Sequence, residues 1–443
     1  MKPYAWIPTL YFAEALPYMA VMTLSVIMYT NLGLSNTELA LYTSWLYLPW
    51  VIKPLWSPLI DHWRTKRWWI LTMQVLVGAS LAGVALSLPT AMWLRLSLAF
   101  FWLMAFSSAT HDIAADGFYI LALSKEDQAL YVGIRSTFYR IGMIFCQGIL
   151  VMIAGWLEMH NTIPLAWSIT MLLMAAIMIG LAGWHFAFLP RVESKEGNEE
   201  LIVKNEELSS QLPHSPTSSL PHSITPPLPH SSISSLLQPF IETLKAFFSK
   251  PHVWAALLFM LLFRLPEAQL AKMAQPFMLR TMGEGGLELS TSVVGFAYGT
   301  LGVVGLLAGG IIGGWVVSRQ GLKRWLWPMV LAISLPDVVY IYLAYAQPES
   351  LWIINTCVFI EQLGYGFGFT AYMLFLVYFA RGERSTSVFA LCTAFQALGM
   401  MIPGMFAGKL ADVMGFQHFF IFVCLCTLVT FFVSALIRRD IDK

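Results

Sequence analysis

Charge is what this 443-residue chain has least of: Lys, Arg, Asp and Glu together make up 12% of it, and they nearly cancel to a net +1. A balance so close to zero excludes a polyanionic partner, and with it nucleic acid. Cysteine is scarce as well. Cys146, Cys357, Cys392, Cys424 and Cys426 all sit in apolar runs without metal-ligand spacing, so they read as packing residues and neither a zinc site nor a disulfide framework is expected. The start of the chain has a single Lys2, then an apolar stretch too long for a cleaved signal and without a small-residue cleavage site. The first segment is therefore expected to stay as a membrane helix. What remains is apolar bulk: 58% hydrophobic residues, with 30 Phe, 23 Met and 17 Trp, at a mean hydropathy of +0.67. Soluble chains hold about 45–50% apolar residues, so this composition describes a polytopic membrane protein.

A membrane span needs about 20 mainly apolar residues. That ruler predicts twelve helices, at 4–30, 39–60, 68–88, 93–123, 131–157, 164–188, 252–280, 291–317, 326–346, 351–379, 386–408 and 416–437. Basic residues fall almost wholly on one side, among them Arg64, Lys66, Arg67, Lys125, Arg191, Lys250, Arg319, Lys323, Arg324, Arg381, Arg384 and Arg438, while the opposite loops carry chiefly Arg280 and Lys409. The positive-inside rule then places both termini in the cytoplasm. Residues 190–250 break the apolar pattern, charged at first and then rich in Ser and Pro. They read as a disordered cytoplasmic linker. LPHS recurs there three times, setting His214, His222 and His230 eight residues apart; low-complexity drift accounts for this better than metal binding. Leu236, Leu237, Phe240, Ile241, Leu244, Phe247 and Phe248 then form a stripe at helical spacing, which predicts an interfacial helix near 235–249.

The two halves resemble each other. Residues 57–68 align with 314–325, matching Lys66, Arg67 and Trp68 to Lys323, Arg324 and Trp325, and the same offset of 257 carries Phe138, Gly142 and Met143 onto Phe395, Gly399 and Met400. Such a repeat predicts an all-α membrane protein of two pseudo-symmetric six-helix bundles, 1–189 and 251–443, around a midplane site. This is the architecture of the major facilitator superfamily.

Several motifs narrow the resemblance. Lys53-Pro54-Leu55-Trp56-Ser57-Pro58-Leu59-Ile60-Asp61, the run from Ala109 to Gly117, Tyr139-Arg140-Ile141-Gly142-Met143, and Glu361-Gln362-Leu363 with Gly366 and Gly368 occur in that order. Together they resemble AmpG-type muropeptide permeases and their relatives, the acetyl-CoA transporters. The sequence departs from that pattern at His111, where a Gln is usual, and at Arg264-Leu265-Pro266-Glu267. The resemblance implies a permease of alternating access whose helices 1, 4, 7 and 10 line a central cavity.

Charges within the spans are the candidate site, because a carboxylate at mid-membrane costs roughly 2.5–3.5 kcal/mol even on the lenient insertion scale. Asp112 and Asp116, four apart, share one helix face. At about 1.5 Å per residue they lie roughly 16 and 10 Å deep, and Arg140 on the next helix about 13 Å deep. This predicts an Asp112, Asp116 and Arg140 cluster, which the second half does not copy. Glu14, Glu267 and Glu361 join the two aspartates as proton-coupling candidates. His111 reads equally as a proton relay or as a histidine satisfied by a backbone carbonyl, and Asp337, on an outer helix, as a partner of its neighbours. Arg140, Arg264 and Lys272 suit carboxylates or phosphates, and Tyr119, Tyr139, Tyr365, Tyr372 and Gln362 a sugar. Asp61 with Arg64, Lys66 and Arg67 looks like the superfamily's cytoplasmic gate, able to pair with Arg384.

These readings lead to a transporter rather than an enzyme. His111 and Asp116 match the H-x4-D spacing of glycerolipid acyltransferases, yet no glycerol-phosphate motif accompanies them. The resemblance implies a monomeric, proton-coupled importer of anhydro-muropeptides in the bacterial inner membrane, needing no cofactor or metal beyond the proton gradient. Transport of acetyl-CoA or another anionic solute, and a sensor that transports nothing, stay open.

Overall fold

The computed structural model describes residues 3–192, 233–382 and 384–438. Among the described residues the chain is helical with no strand, as an apolar chain in lipid requires, since only helices satisfy their own backbone groups within one segment. The chain runs through α1 (Pro3–Asn31), α2 (36–62), α3 (Lys66–Ser87), α4 (Trp93–Ala122), α5 (Glu126–Glu158) and α6 (Ile163–Phe188). After the linker come α7 (Val253–Leu279), α8 (Thr291–Gln320), α9 (Leu322–Ala346), α10 (Leu351–Ala380), α11 (385–414) and α12 (416–437). Nine helices among the described residues are long and apolar enough to cross a membrane. One of these is the continuous run of α11 and α12, which breaks at Gly415, where φ is 71°.

The two helices outside that set have evident reasons. Pro49, Pro54 and Pro58 break α2 into short pieces, with a 3-10 turn at Lys53–Leu55, because proline removes a donor and clashes with the preceding turn. Helix α4 runs unbroken for 30 residues but carries Arg95, Asp112 and Asp116.

The linker helix, Ile233–Phe248, ends on Phe247, which is fully buried against Phe379 and Phe395 of the C-terminal half. Glu242 on this helix pairs with Arg384, and Lys250 donates to the Arg381 carbonyl at 2.7 Å. The LPHS histidines lie outside the described residues.

The halves meet backbone to backbone at two places: Gly408 of α11 against Asn36 of α2, where a Cβ would lie 1.7 Å from the Asn36 carbonyl oxygen, and the crossing of α5 and α8. A Cβ on Gly299 would lie 2.1 Å from the Gln147 carbonyl carbon and the Gly148 nitrogen, so only glycine permits this backbone approach, as at small-residue helix contacts in membranes. Both helices widen into π-turns there, at Phe145–Leu150 and Ala297–Gly302, and α1 does the same at Ala20–Leu24. Such turns concentrate at functional sites.

Candidate functional site

A cavity of about 760 Å³ lies between the halves. Its walls come from α1 (Tyr18, Thr23), α2 (Tyr47), α5, α7, α8, α10 and α11 (Gln396). No residue of α4 lines it, which corrects the expectation that helices 1, 4, 7 and 10 do so.

One end of the cavity is tied shut. Glu158 accepts from Asn31 Nδ2 (2.7 Å), Thr291 Oγ1 (2.5 Å) and Trp167 Nε1 (2.7 Å), so one carboxylate joins α1, α5, α6 and α8. Asp412 accepts from the Thr37 backbone nitrogen at 2.8 Å and its hydroxyl at 2.6 Å, and Arg280 donates to the Leu34 carbonyl. Toward the other end, where Arg64, Lys250, Lys323 and Arg381 gather, the lining of α10 continues from Glu361 to Val377, within a turn of the helix end. The cavity therefore opens toward the basic end.

Eight of the expected residues meet in this cavity: Tyr139, Arg140, Arg264, Glu267, Lys272, Glu361, Gln362 and Tyr365. Arg264 sits at the break between the two halves of α7, the last residue before Leu265–Leu279. Pro266 begins that segment, and the break turns Arg264 toward the aromatic rings of α10. Its guanidinium lies 4.8 Å from the Phe369 centroid and 5.5 Å from that of Tyr365, and it donates to the Tyr365 hydroxyl. Its Nε is buried without a partner. Lys272 donates to Thr43 Oγ1 at 3.1 Å across the halves and lies 5.2 Å from the Tyr47 ring. Glu361 accepts from Gln362 Nε2 at 3.0 Å and from Tyr340 at 3.4 Å. Three cations thus face the cavity, and none of them is ion-paired to a carboxylate among the described residues.

The Asp112, Asp116 and Arg140 cluster does not form. Lys53 Nζ pairs with Asp112 Oδ2 at 2.6 Å, and Arg135 Nη2 with Asp116 Oδ1 at 2.6 Å. Residues 135 and 140 are five apart, about 140° around a helix. One arginine therefore faces α1 and α4 while the other faces the cavity. Arg135 also lies 4.4 Å from the ring of Tyr11, whose hydroxyl donates to Asp116 at 3.4 Å. Glu14, 7% exposed, faces both aspartates, so three acids stand against two cations.

Other expected residues lie elsewhere. Tyr119 donates to the Gln128 carbonyl at 2.5 Å, and Tyr372 to the Met260 carbonyl at 2.7 Å among Phe259 and Phe263; neither reaches the cavity. Both were expected there because aromatic identity alone carries no direction. Arg67 caps the end of α6, donating to Leu189 (3.1 Å) and Phe186 (2.6 Å) carbonyls, Arg64 stacks on Trp68, and Lys66 lies over Gly117 of α4. Arg384 pairs with Glu242; the side chain of Asp61 lies outside the described residues. His111 turns away from the aspartates into a buried chain, with Gln74 3.0 Å from His111, His185 3.0 Å from Gln74 and Thr9 3.0 Å from His185. Lys53, Arg135, Gln74 and His185 were missed as partners. Arg135 had a signal, since it lies about 6 Å deep on the same count that places Asp116 about 10 Å deep, within reach of a long side chain.

A helical membrane protein whose halves meet around a central cavity, closed at one end and open at the other, has the form of a solute transporter. The chain belongs to the Major Facilitator Superfamily, whose family model matches residues 9–403. It is 26% identical over 422 residues to "Putative transporter AmpG 4" of Rickettsia conorii, covering 92% of this chain and 90% of that protein. It is 26% identical over 382 residues to the "Anhydromuropeptide permease" of Escherichia coli K12, covering 84% of this chain and 67% of that one. Among solved structures, the nucleoside transporter NupG superposes with a TM-score of 0.67 at 13% identity, covering 98% of this chain and 99% of its own. A POT family transporter in complex with 5-aminolevulinic acid superposes at 0.69 with 13% identity, covering 99% and 96%. At these identities the structures share the fold alone.

Proposed function

We propose that this protein imports anhydro-muropeptides across the bacterial inner membrane by proton-coupled alternating access. The observation that carries the reading is the cavity itself: Arg140, Arg264 and Lys272, with no carboxylate ion pair among the described residues, face a space of about 760 Å³ shared with Glu267, Glu361 and Gln362. That volume lies in the range of about 300–1,000 Å³ usual for small-molecule sites. Unpaired guanidinium groups recognise carboxylates, and the tyrosines and glutamines suit a glycan's hydroxyls. The names of the relatives support the solute class.

In this reading twelve segments cross the membrane, with α2 and α4 added to the apolar set and the α11–α12 run counted twice. The bundles are 1–189 and 251–443, with 190–250 as the cytoplasmic linker, and the basic end, with both termini, faces the cytoplasm. The cavity is then inward-open, and the Glu158, Asp412 and Arg280 contacts form the closed outer gate. Glu14, Asp112, Asp116, Glu267 and Glu361 are the proton-coupling candidates. Asp61, Arg64, Lys66, Arg67 and Arg384 form the inner gate. The protein works as a monomer without a cofactor, and it catalyses no reaction.

Uptake of radiolabelled anhydro-muropeptide into proteoliposomes under an imposed pH gradient tests this. Accumulation that collapses with a protonophore is expected. Accumulation of acetyl-CoA in its place would favour the second reading, to which the same three cations lend support, and failure to accumulate either would leave the sensor.

A further inference from the structure

Asp337 is absent from every part of the site described so far. It lies on α9, outside the cavity wall, at the end of a 3-10 turn, Leu335–Asp337, that interrupts the helix. It is 4% exposed, and it makes no hydrogen bond or ion pair with a described residue. One helical turn further on, Tyr340 is fully buried, and its hydroxyl donates to Glu361 Oε2 at 3.4 Å. Tyr340 also shares a hydrogen bond with Tyr298, which lines the cavity. The break in α9 packs directly on α10 at Gly364, where a Cβ would meet the Ala332 carbonyl oxygen at 2.2 Å and Pro336 at 2.7 Å. Glu361 stands one turn before that glycine and Asp337 directly follows Pro336, so the close approach sets the two acids on neighbouring helices beside one another, with Glu267 of α7 near both.

The groups around this pair are acids and neutral donors. Asp337 and Tyr340 come from α9, Glu267 from α7, Tyr298 from α8, Cys424 from α12, and Gln362 from α10 itself. Of the cations this half sends into the cavity, Arg264 is held by Tyr365 and faces Glu267, and Lys272 is held by Thr43. A buried carboxylate without a cation is expensive in its ionised form, and two facing each other cannot both ionise.

We propose that Asp337 and Glu361 together hold the proton that the transport cycle exchanges, with Asp337 as the inner member of the pair. The inference rests on the proton-coupled reading of the same site. The route from the cavity is Tyr298 to Tyr340 to Glu361. Tyr340 gives its hydroxyl proton to the Glu361 carboxylate at Oε2, takes one from Tyr298, and Tyr298 takes one from a hydronium ion in the cavity, which is left as water, so each transfer breaks one O–H bond and makes another.

The test uses full-length protein in proteoliposomes, with Asp337→Asn, Glu361→Gln and Tyr340→Phe beside the wild type. Infrared difference spectra between acid and alkaline buffer, recorded without any solute, should show a protonated-carboxyl C=O band at neutral pH that shrinks in Asp337→Asn and in Glu361→Gln. Proton-driven accumulation of anhydro-muropeptide should fall at least about tenfold in Asp337→Asn, while its exchange without a gradient stays near wild type. Wild-type accumulation together with an unchanged band in Asp337→Asn would overturn the proposal. Should Asp337→Asn fail to fold, Asp337→Glu, which restores the carboxyl, takes its place, and a wild-type spectrum without the neutral-pH band overturns the proposal by itself. Wild-type vesicles that take up no anhydro-muropeptide would sink the solute assignment and leave the spectroscopic test standing.

Discussion

Both halves of the molecule place three carboxylates within their spans, and they treat them differently. In the N-terminal half Glu14, Asp112 and Asp116 face Lys53 and Arg135, and both aspartates are ion-paired at 2.6 Å. In the C-terminal half Glu267, Glu361 and Asp337 have no ion pair among the described residues; Arg264 is bound by a tyrosine and two rings, and Lys272 by Thr43 and the Tyr47 ring. Ion pairs hold charge in place, whereas acids without them are free to take up and release a proton. The repeat in the sequence thus supplied two copies of a scaffold, and the polar residues placed on it diverged into one cluster with ion pairs and one without them among the described residues.

The strongest test of that contrast compares amide substitutions on the two sides. Asp112→Asn strands Lys53 and should cost about 2–3 kcal/mol, below the roughly 3–5 kcal/mol of a fully buried pair, because each side chain keeps 23% exposure. Glu361→Gln replaces a group with no ion-pair partner and should cost about 1 kcal/mol or less. Thermal unfolding in detergent measures both, and equal losses would erase the distinction. Next, the double variant Lys53→Met with Asp112→Asn should recover most of the stability lost by Asp112→Asn, since removing both partners of a pair leaves no orphan charge. A double variant as unstable as the single would mean that the pair serves packing and not charge balance.

A smaller effect is expected where a cation waits for a ligand. Arg264→Lys keeps the charge but loses the planar fork, and should raise the KM for anhydro-muropeptide by roughly tenfold with little change in stability; an unchanged KM would move the anion site to Arg140 or Lys272. The least effect belongs to the Glu242–Arg384 pair, whose side chains are 38% and 44% exposed. Arg384→Ala should shift unfolding by about 0–1 kcal/mol, and a larger loss would show that the linker helix is held by this contact more than by Phe247.

How far the sequence discloses this arrangement depends on the residue. Arg264, Lys272, Glu267 and Glu361 are legible because a charge inside a span-length apolar run has few explanations, and all four reach the cavity. Arg140 was legible as a cavity residue but not as a partner, since depth counted along a helix ignores the rotation that separates it from Arg135. Lys53 is hidden by the prolines around it, which break α2 and make helical counting meaningless there. Tyr119 and Tyr372 were misplaced for a different reason: in a chain with 16 tyrosines and 17 tryptophans, an aromatic ring packs equally well in a core. Gln74 and His185 give no pattern at all, because their partnership with His111 joins helices far apart in the chain.

The crossing at Gly148 and Gly299 has a mechanical consequence. The same two rods touch again toward the closed end, where a Cβ on Gly155 would lie 2.3 Å from the Ser292 nitrogen, so a tilt about the crossing has to release this second contact, as a clasp is released beyond its hinge. Glu158 lies ten residues along α5 from the crossing, about 15 Å at 1.5 Å per residue, so a tilt of about 20° would carry it roughly 5 Å. That distance parts the bonds that Glu158 and Asn31 make to Thr291 while leaving Asn31 joined to Glu158 within its own half, and a solute beside the crossing would hardly move.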